Sequence, residues 1–225
     1  MRILASAALL SALTVGSAHA MTYSLVPLQN GGAAILAQGR IEGDESGRLI
    51  AALQSAQARG AMPRTLVISS PGGVLESALD LGQTLRQAGM QTTVGALAQD
   101  AYGGVEIAGG NCHSACVMVL MAGVNRSVLP GSRVGVHSPQ TQVTVRGQRY
   151  VLDDETSRRL AEPALRSYAR YMGVSTKVID VAHAVPHSSI RTLSGSEMAR
   201  FGLVTSGKRQ ASRTRKATSR ERGRA

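Results

Sequence analysis

The segment Gly109-Gly110-Asn111-Cys112-His113-Ser114-Ala115-Cys116 sets a serine among small residues directly before an apolar run. A serine so placed at a helix start can expose its hydroxyl, with the N–H that follows it facing the same point. Nucleophilic use of Ser114 requires a base. His137 lies further along, in Leu129-Pro130-Gly131-Ser132-Arg133-Val134-Gly135-Val136-His137-Ser138-Pro139, where an apolar strand delivers it at its end. A third segment, Ser69-Ser70-Pro71-Gly72-Gly73, follows another apolar strand. Its glycines let the backbone turn sharply and offer bare N–H groups, a place for an oxyanion. Each feature also has a plain structural reading: a strand-to-helix turn, an N-cap serine, a strand-end histidine. Their order, oxyanion turn then serine then histidine, points to acyl transfer.

Other reactive residues surround this set. Cys112 and Cys116 straddle Ser114 and can pair if the segment is a turn, or pack as small buried thiols. Cys112, His113 and Cys116 could also open a zinc site, although no second paired cluster accompanies them. Haem attachment needs C-x-x-C-H, which is not the order here. His183 and His187 have a helical ligand spacing, but Pro186 between them marks two loop or surface histidines. Nothing resembles a phosphate loop or a dinucleotide fingerprint, and no cofactor is expected.

The elements that must position these residues follow from periodicity. Residues 23–28 and 33–41 read as strands joined by the turn 30–32. Leu49, Ile50, Leu53 and Ala56 recur at helical spacing after Asp44, with Gly60 as the stop. Residues 65–69 form a short apolar strand of the kind buried in parallel sheets. A helix over 74–88, ended by Gly89, and a strand over 91–96 complete a β-α-β-α-β order, which implies parallel strands with right-handed crossovers. A glycine-rich loop, 99–111, then leads into an apolar helix over 114–122. After the strand 132–136 come a hairpin over 141–152 around Arg146-Gly147 and a long helix over 153–172. Ser175 opens a short helix, and Ser194-Gly195-Ser196-Glu197 is a capping-box pattern for a last one, closed by Gly202.

At this point a resemblance is plain. The three segments resemble the Clp protease proteolytic subunit, whose family runs strand–SPGG–helix, then serine at a small-residue helix start, then a Leu-Pro-x-Ser-Arg-Val-x-x-His-x-Pro strand. Residues 193–204 are similar to its closing helix and strand. The likeness covers about residues 33–205 and implies an α/β fold of the crotonase/Clp-protease type: short parallel strands, flanking helices and a protruding helical unit. It implies Ser114 as nucleophile, His137 as base, Gly73 and Ala115 as oxyanion donors, and Gly72 as shaper of the turn. The stretch matching the family's triad aspartate, 185–189, holds no carboxylate; Asp180 is the nearest acid and the candidate third residue. The hairpin and long helix occupy the place of the family's handle, which joins subunits, so self-association is expected. The expected function is a serine peptidase or other acyl hydrolase. The alternative is a catalytically silent scaffold or binding protein of the same fold.

Composition frames the rest. The 225 residues include no Trp and a single Phe, so the core must be aliphatic. Residues 1–20 read as a signal peptide: Arg2, an apolar run, then Ala18-His19-Ala20 as a cleavage site. The run is too short to span a bilayer comfortably. The protein is therefore expected to be exported, most simply to a periplasm, with residues 21–205 as the folded domain. Related exported proteins, among them signal peptide peptidase A, match this leader better than the cytosolic protease does. ATP is scarce outside the cytoplasm, so no ATPase partner is expected. The net charge of +11 is concentrated in residues 206–225, where Lys208, Arg209, Arg213, Arg215, Lys216, Arg220, Arg222 and Arg224 face only Glu221. This stretch reads as a disordered basic tail, either simply solvated or touching anionic membrane or cell wall. Export argues against nucleic acid as its partner.

Overall fold

The structure is a computed structural model that describes residues 20–28, 32–99 and 104–205. The leader, apart from Ala20, and the basic tail lie outside the described residues, as does most of the turn at 30–32. Strands β1 (Thr22–Pro27) and β2 (Ala33–Gln38) form an antiparallel pair. Helix α1 (Glu45–Ala58) follows, capped by the Asp44 carboxylate on the Gly47 N–H at 2.8 Å. Strand β3 (Thr65–Ser69) buries Leu66, Val67 and Ile68 on both faces, as a central parallel strand must. It leads through Ser70-Pro71-Gly72-Gly73 into α2 (Leu75–Gln87), and β4 (Gln91–Val94) pairs parallel to it.

Part of the stretch read as a glycine-rich loop pairs as strands among the described residues. Strands β5 (Ala96–Gln99) and β6 (Val105–Ala108) make a hairpin there, and β7 (Asn111–His113) precedes Ser114. Helix α3 (Cys116–Ala122) begins two residues later than periodicity indicated, leaving Ser114 in a turn. Every residue of α3 is buried, which makes it the central core helix. Strand β8 (Arg126–Val128), which the sequence pattern did not mark, closes the main sheet, whose order is β1-β2-β3-β4-β8. Strand β9 (Arg133–Val136) joins β7 in parallel. The hairpin β10 (Gln142–Val145) and β11 (Gln148–Val151) precedes α4 (Asp154–Tyr171), α5 (Lys177–His183), β12 (Arg191–Thr192) and α6 (Gly195–Phe201). The capping box at Ser194 is present in full, and Gly202 ends α6 in the left-handed region.

The core is aliphatic, as composition required. It runs from Met21, Ile35 and Leu49 through α3 to Leu165, Met172 and Leu203, with Tyr168 and Phe201 as its buried aromatics. Helix α4 turns Leu165, Tyr168 and Ala169 into this core, while Ala164, Leu160 and Tyr171 stay exposed. Two charged side chains are buried among the described residues, Glu45 and Arg126. Arg126, 6% exposed, donates to the carbonyls of Gly123 (2.8 Å), Gly202 (2.9 Å), Met121 (3.3 Å) and Met172 (3.3 Å). These carbonyls end α3, α4 and α6, so three negative dipole ends converge on one guanidinium. Among the described residues no helix is long and apolar enough to cross a membrane.

Candidate active site

Two bridges clamp the Ser70–Gly73 turn. Ser70 continues β3 and pairs with Cys112 of β7, its N–H donating to Asn111 O at 2.6 Å and its carbonyl accepting from His113 N at 3.1 Å. On the other side Gly73 pairs with Ile41; Ile41 N donates to Gly72 O and Val74 N to Ile41 O, both at 2.9 Å. The turn is thus wedged beside the residue that follows β7, which is Ser114. Gly72 sits so close that a β-carbon there would lie 2.8 Å from both Ser114 Cβ and the His113 carbonyl. Its φ of 100° and the 146° of Gly73 are values that side chains oppose, so both glycines are required for conformation as well as for space.

The N–H groups divide cleanly. Gly72 N donates to Ser70 Oγ at 3.1 Å, whereas Gly73 N and Ala115 N have no acceptor among the described residues. Gly72 lies against Ser114 and the Ala115 N–H, and the amides of Gly73 and Ala115 are the pair that the resemblance implied for an oxyanion. Ser114 itself has φ 57°, the left-handed region, which costs a residue bearing a β-carbon about 1–2 kcal/mol. Its N–H donates to Gly135 O at 2.8 Å, tying the turn to β9 two residues before His137.

Cys112 and Cys116 are joined as a disulfide, with Sγ atoms 2.08 Å apart. Pairing over four residues is possible because a strand and a turn, rather than a continuous helix, separate them. The bridge ties the end of β7 to the first residue of α3, so both flanks of the strained Ser114 are held. Both cysteines are fully buried, which shields the bridge from reductants in the folded chain. Replacing both by alanine is expected to cost about 2 kcal/mol from the released loop. Labelling of Ser114 by a serine-directed probe should slow about tenfold as the turn relaxes. Thermal melts and labelling rates check this; an unchanged rate means the turn holds itself.

His137 follows β9 and is half-buried. Its Nδ1 lies 2.6 Å from the Ser138 carbonyl. A carbonyl only accepts, so Nδ1 carries the proton and Nε2 keeps its lone pair, the form a general base needs. Burial holds the imidazole below its ordinary value of 6.5; the Ser138 bond and the Asp154 carboxylate oppose that, and His187 adds to it. His113, between Cys112 and Ser114, is also depressed, by burial first and then by Arg133 and His137. The ring therefore stays neutral at physiological pH.

The surroundings of Asp180, His183 and His187 follow from their elements. Asp180 is taken by Arg166, whose Nη2 reaches its Oδ1 at 2.6 Å, and the same guanidinium also holds Glu162. The carboxylate acting on His137 electrostatically is Asp154, at the start of α4. His187 lies in a loop, as Pro186 indicated, whereas His183 is the last residue of α5. His183 ends α5 with its Nε2 buried and unpartnered, while the His187 ring packs 4.7 Å from that of His137. The sequence marked His187 only by its spacing from His183, because its contact with His137 depends on how the loop is anchored to β9.

No protein-family model and no curated protein matches this chain. Solved structures do. A serine-to-alanine mutant of the 1510-N membrane-bound stomatin-specific protease aligns with TM-score 0.51 and 14% identity over 75% of each chain. A lysine-to-alanine mutant of that protease, in complex with a substrate peptide, aligns with TM-score 0.52 and 14% identity over 75% of this chain and 71% of that one. The chain therefore has the α/β fold of the Clp- and signal peptide peptidase A-like serine proteases.

Proposed function

We propose that this protein is an exported serine hydrolase, most simply a peptidase, that works through an acyl-enzyme on Ser114 without an ATP-consuming partner. In this reading His137 Nε2 takes the Ser114 proton, Oγ attacks the acyl carbon, and the N–H groups of Gly73 and Ala115 hold the oxyanion. His137 then returns the proton to the leaving group, and water releases the acyl chain with His137 again as base. The observation that carries the reading is the strained Ser114 turn, with two unpaired amides beside it and its amide tied to the strand of His137. The test is covalent labelling by a fluorophosphonate, mapped to Ser114 by mass spectrometry.

The Cys112–Cys116 disulfide supports export, since such bridges persist in oxidising compartments. Fractionation of producing cells checks the compartment. One observation favours the silent-scaffold reading: among the described residues no carboxylate hydrogen-bonds to His137. Folded protein that no fluorophosphonate labels would establish that reading instead.

Self-association is supported by the apolar side chains left exposed on the hairpin and α4: Val145, Tyr150, Val151, Leu160 and Tyr171. A second copy would cover them. Sedimentation should find an oligomer that Val151→Asp combined with Leu160→Asp dissociates; a wild-type monomer at high micromolar concentration removes the idea.

A further inference from the structure

His187 lies in a loop that two anchors draw across the end of β9. At one anchor Ser138 N donates to Val185 O at 2.8 Å; at the other, β12 pairs antiparallel with β9, Arg191 opposite Val136 and Thr192 opposite Gly135. The chain between them must pass over His137. The two imidazoles meet with ring centroids 4.7 Å apart and planes at 83°, an edge-to-face contact. Both Nδ1 atoms approach the same acceptor, the Ser138 carbonyl, His137 at 2.6 Å and His187 at a longer 3.4 Å. A carbonyl oxygen has two lone pairs and can serve both. Ser138 is itself fixed: it is 1% exposed, and its Oγ donates to His183 O at 3.1 Å.

We infer that His187 is a positioning residue for His137, pinning the imidazole from its Nδ1 side by edge-to-face packing and by a shared Ser138 carbonyl. The inference rests on the reading of His137 as the base of Ser114. The bond from His137 to its own neighbour's carbonyl selects the tautomer but is a local contact. The perpendicular His187 ring supplies the second constraint, blocking rotation of His137 away from that carbonyl. A neutral imidazole does this without the negative charge a carboxylate would bring. The base is then oriented but not strengthened, and a proton on His187 opposes a proton on His137. The charged and titratable groups facing His137 are His187 from the loop, Asp154 from α4 and His113 from β7.

The experiment uses the full chain with His187→Ala, His187→Gln and His187→Asp. It has two readouts: fluorophosphonate labelling rate against pH, and the His137 imidazole titration by nitrogen NMR in a Ser114→Ala background. His187→Ala should slow labelling at neutral pH about 10- to 100-fold, because a misplaced base loses that much. His187→Asp should recover part of the rate and move the His137 titration upward by about one pH unit or more, since a nearby opposite charge favours the imidazolium. His187→Gln should lie between, its His137 titration above wild type. A merely structural His187 would leave the labelling rate of folded His187→Ala and His187→Gln at the wild-type level; the upward titration in His187→Asp follows from charge alone and does not decide. Labelling that matches wild type in those two variants overturns the inference while leaving the hydrolase reading intact. If wild type is never labelled, the hydrolase reading falls, and the positioning role then stands only if His187→Ala changes the His137 tautomer that nitrogen NMR reads in the parent; an unchanged tautomer overturns it. Should His187→Ala not fold, the Gln and Asp variants decide alone.

Discussion

Ser114→Ala is expected to abolish fluorophosphonate labelling altogether, and His137→Ala to slow it by about 10²–10⁴-fold. In this reading the first effect is complete because Ser114 is the nucleophile, held in its turn beside Gly72 and next to the Ala115 N–H. The second is partial because the oxyanion donors remain when the base is gone. The pH dependence has a fixed sign. His137 must be neutral to accept the Ser114 proton, and burial places its folded-state value below 6.5. Labelling should persist at pH 6.5 and be lost only as pH falls through that lower value. A wild-type protein whose labelling is already half lost above pH 6.5, or one labelled equally well after Ser114→Ala, contradicts the assignment.

Arg126→Met should lower global stability by about 3–5 kcal/mol, or about 10 °C in melting temperature for a domain of this size. Methionine nearly conserves the volume, so the loss comes from polar atoms. Gly123 O and Gly202 O lose their guanidinium donors, and buried acceptors without partners cost about 1–3 kcal/mol each. Met121 O and Met172 O keep a second donor in Arg86, at 3.2 and 3.0 Å, which limits the damage. The attraction of three helix C-termini for the charge is lost as well. Burial, and then Arg86, depress the ionisation of Arg126, yet no carboxylate among the described residues pairs with it. The effect should therefore vary little with salt, unlike a surface ion pair. Arg126→Lys should rescue little, since one ammonium cannot reproduce the planar fork. A melting temperature within 2 °C of wild type for Arg126→Met, taken here as roughly one kcal/mol or less, would refute this account.

Much of the scaffold was legible because local chemistry and final structure agree. The run Leu66-Val67-Ile68 is wholly apolar because β3 is covered on both faces, and no partner was needed to recognise it. The Ser194–Glu197 box, the Asp44 cap and the Arg146-Gly147 hairpin turn are local signals closed by residues within a few positions. The Ser114 turn was half legible. Small residues before an apolar run marked a helix start, but the same composition extended the helix over the serine itself. Only the pairing of β7 with β9 and the disulfide pull that serine into a left-handed turn.

By itself the sequence determined the α/β class, the aliphatic core, the order of glycine turn, serine and histidine, and the glycines that turn requires. These depend on side-chain type and on spacing along the chain, quantities that a string of residues contains. The tertiary structure alone decided what flanks the base. Asp180 was the nearest acid in the sequence, yet α4 offers Arg166 to it first. His187, set aside for the proline beside it, is carried onto His137 by the pairing of β12 with β9. Such contacts form between segments whose meeting depends on where sheets place their edges, and no local propensity encodes that.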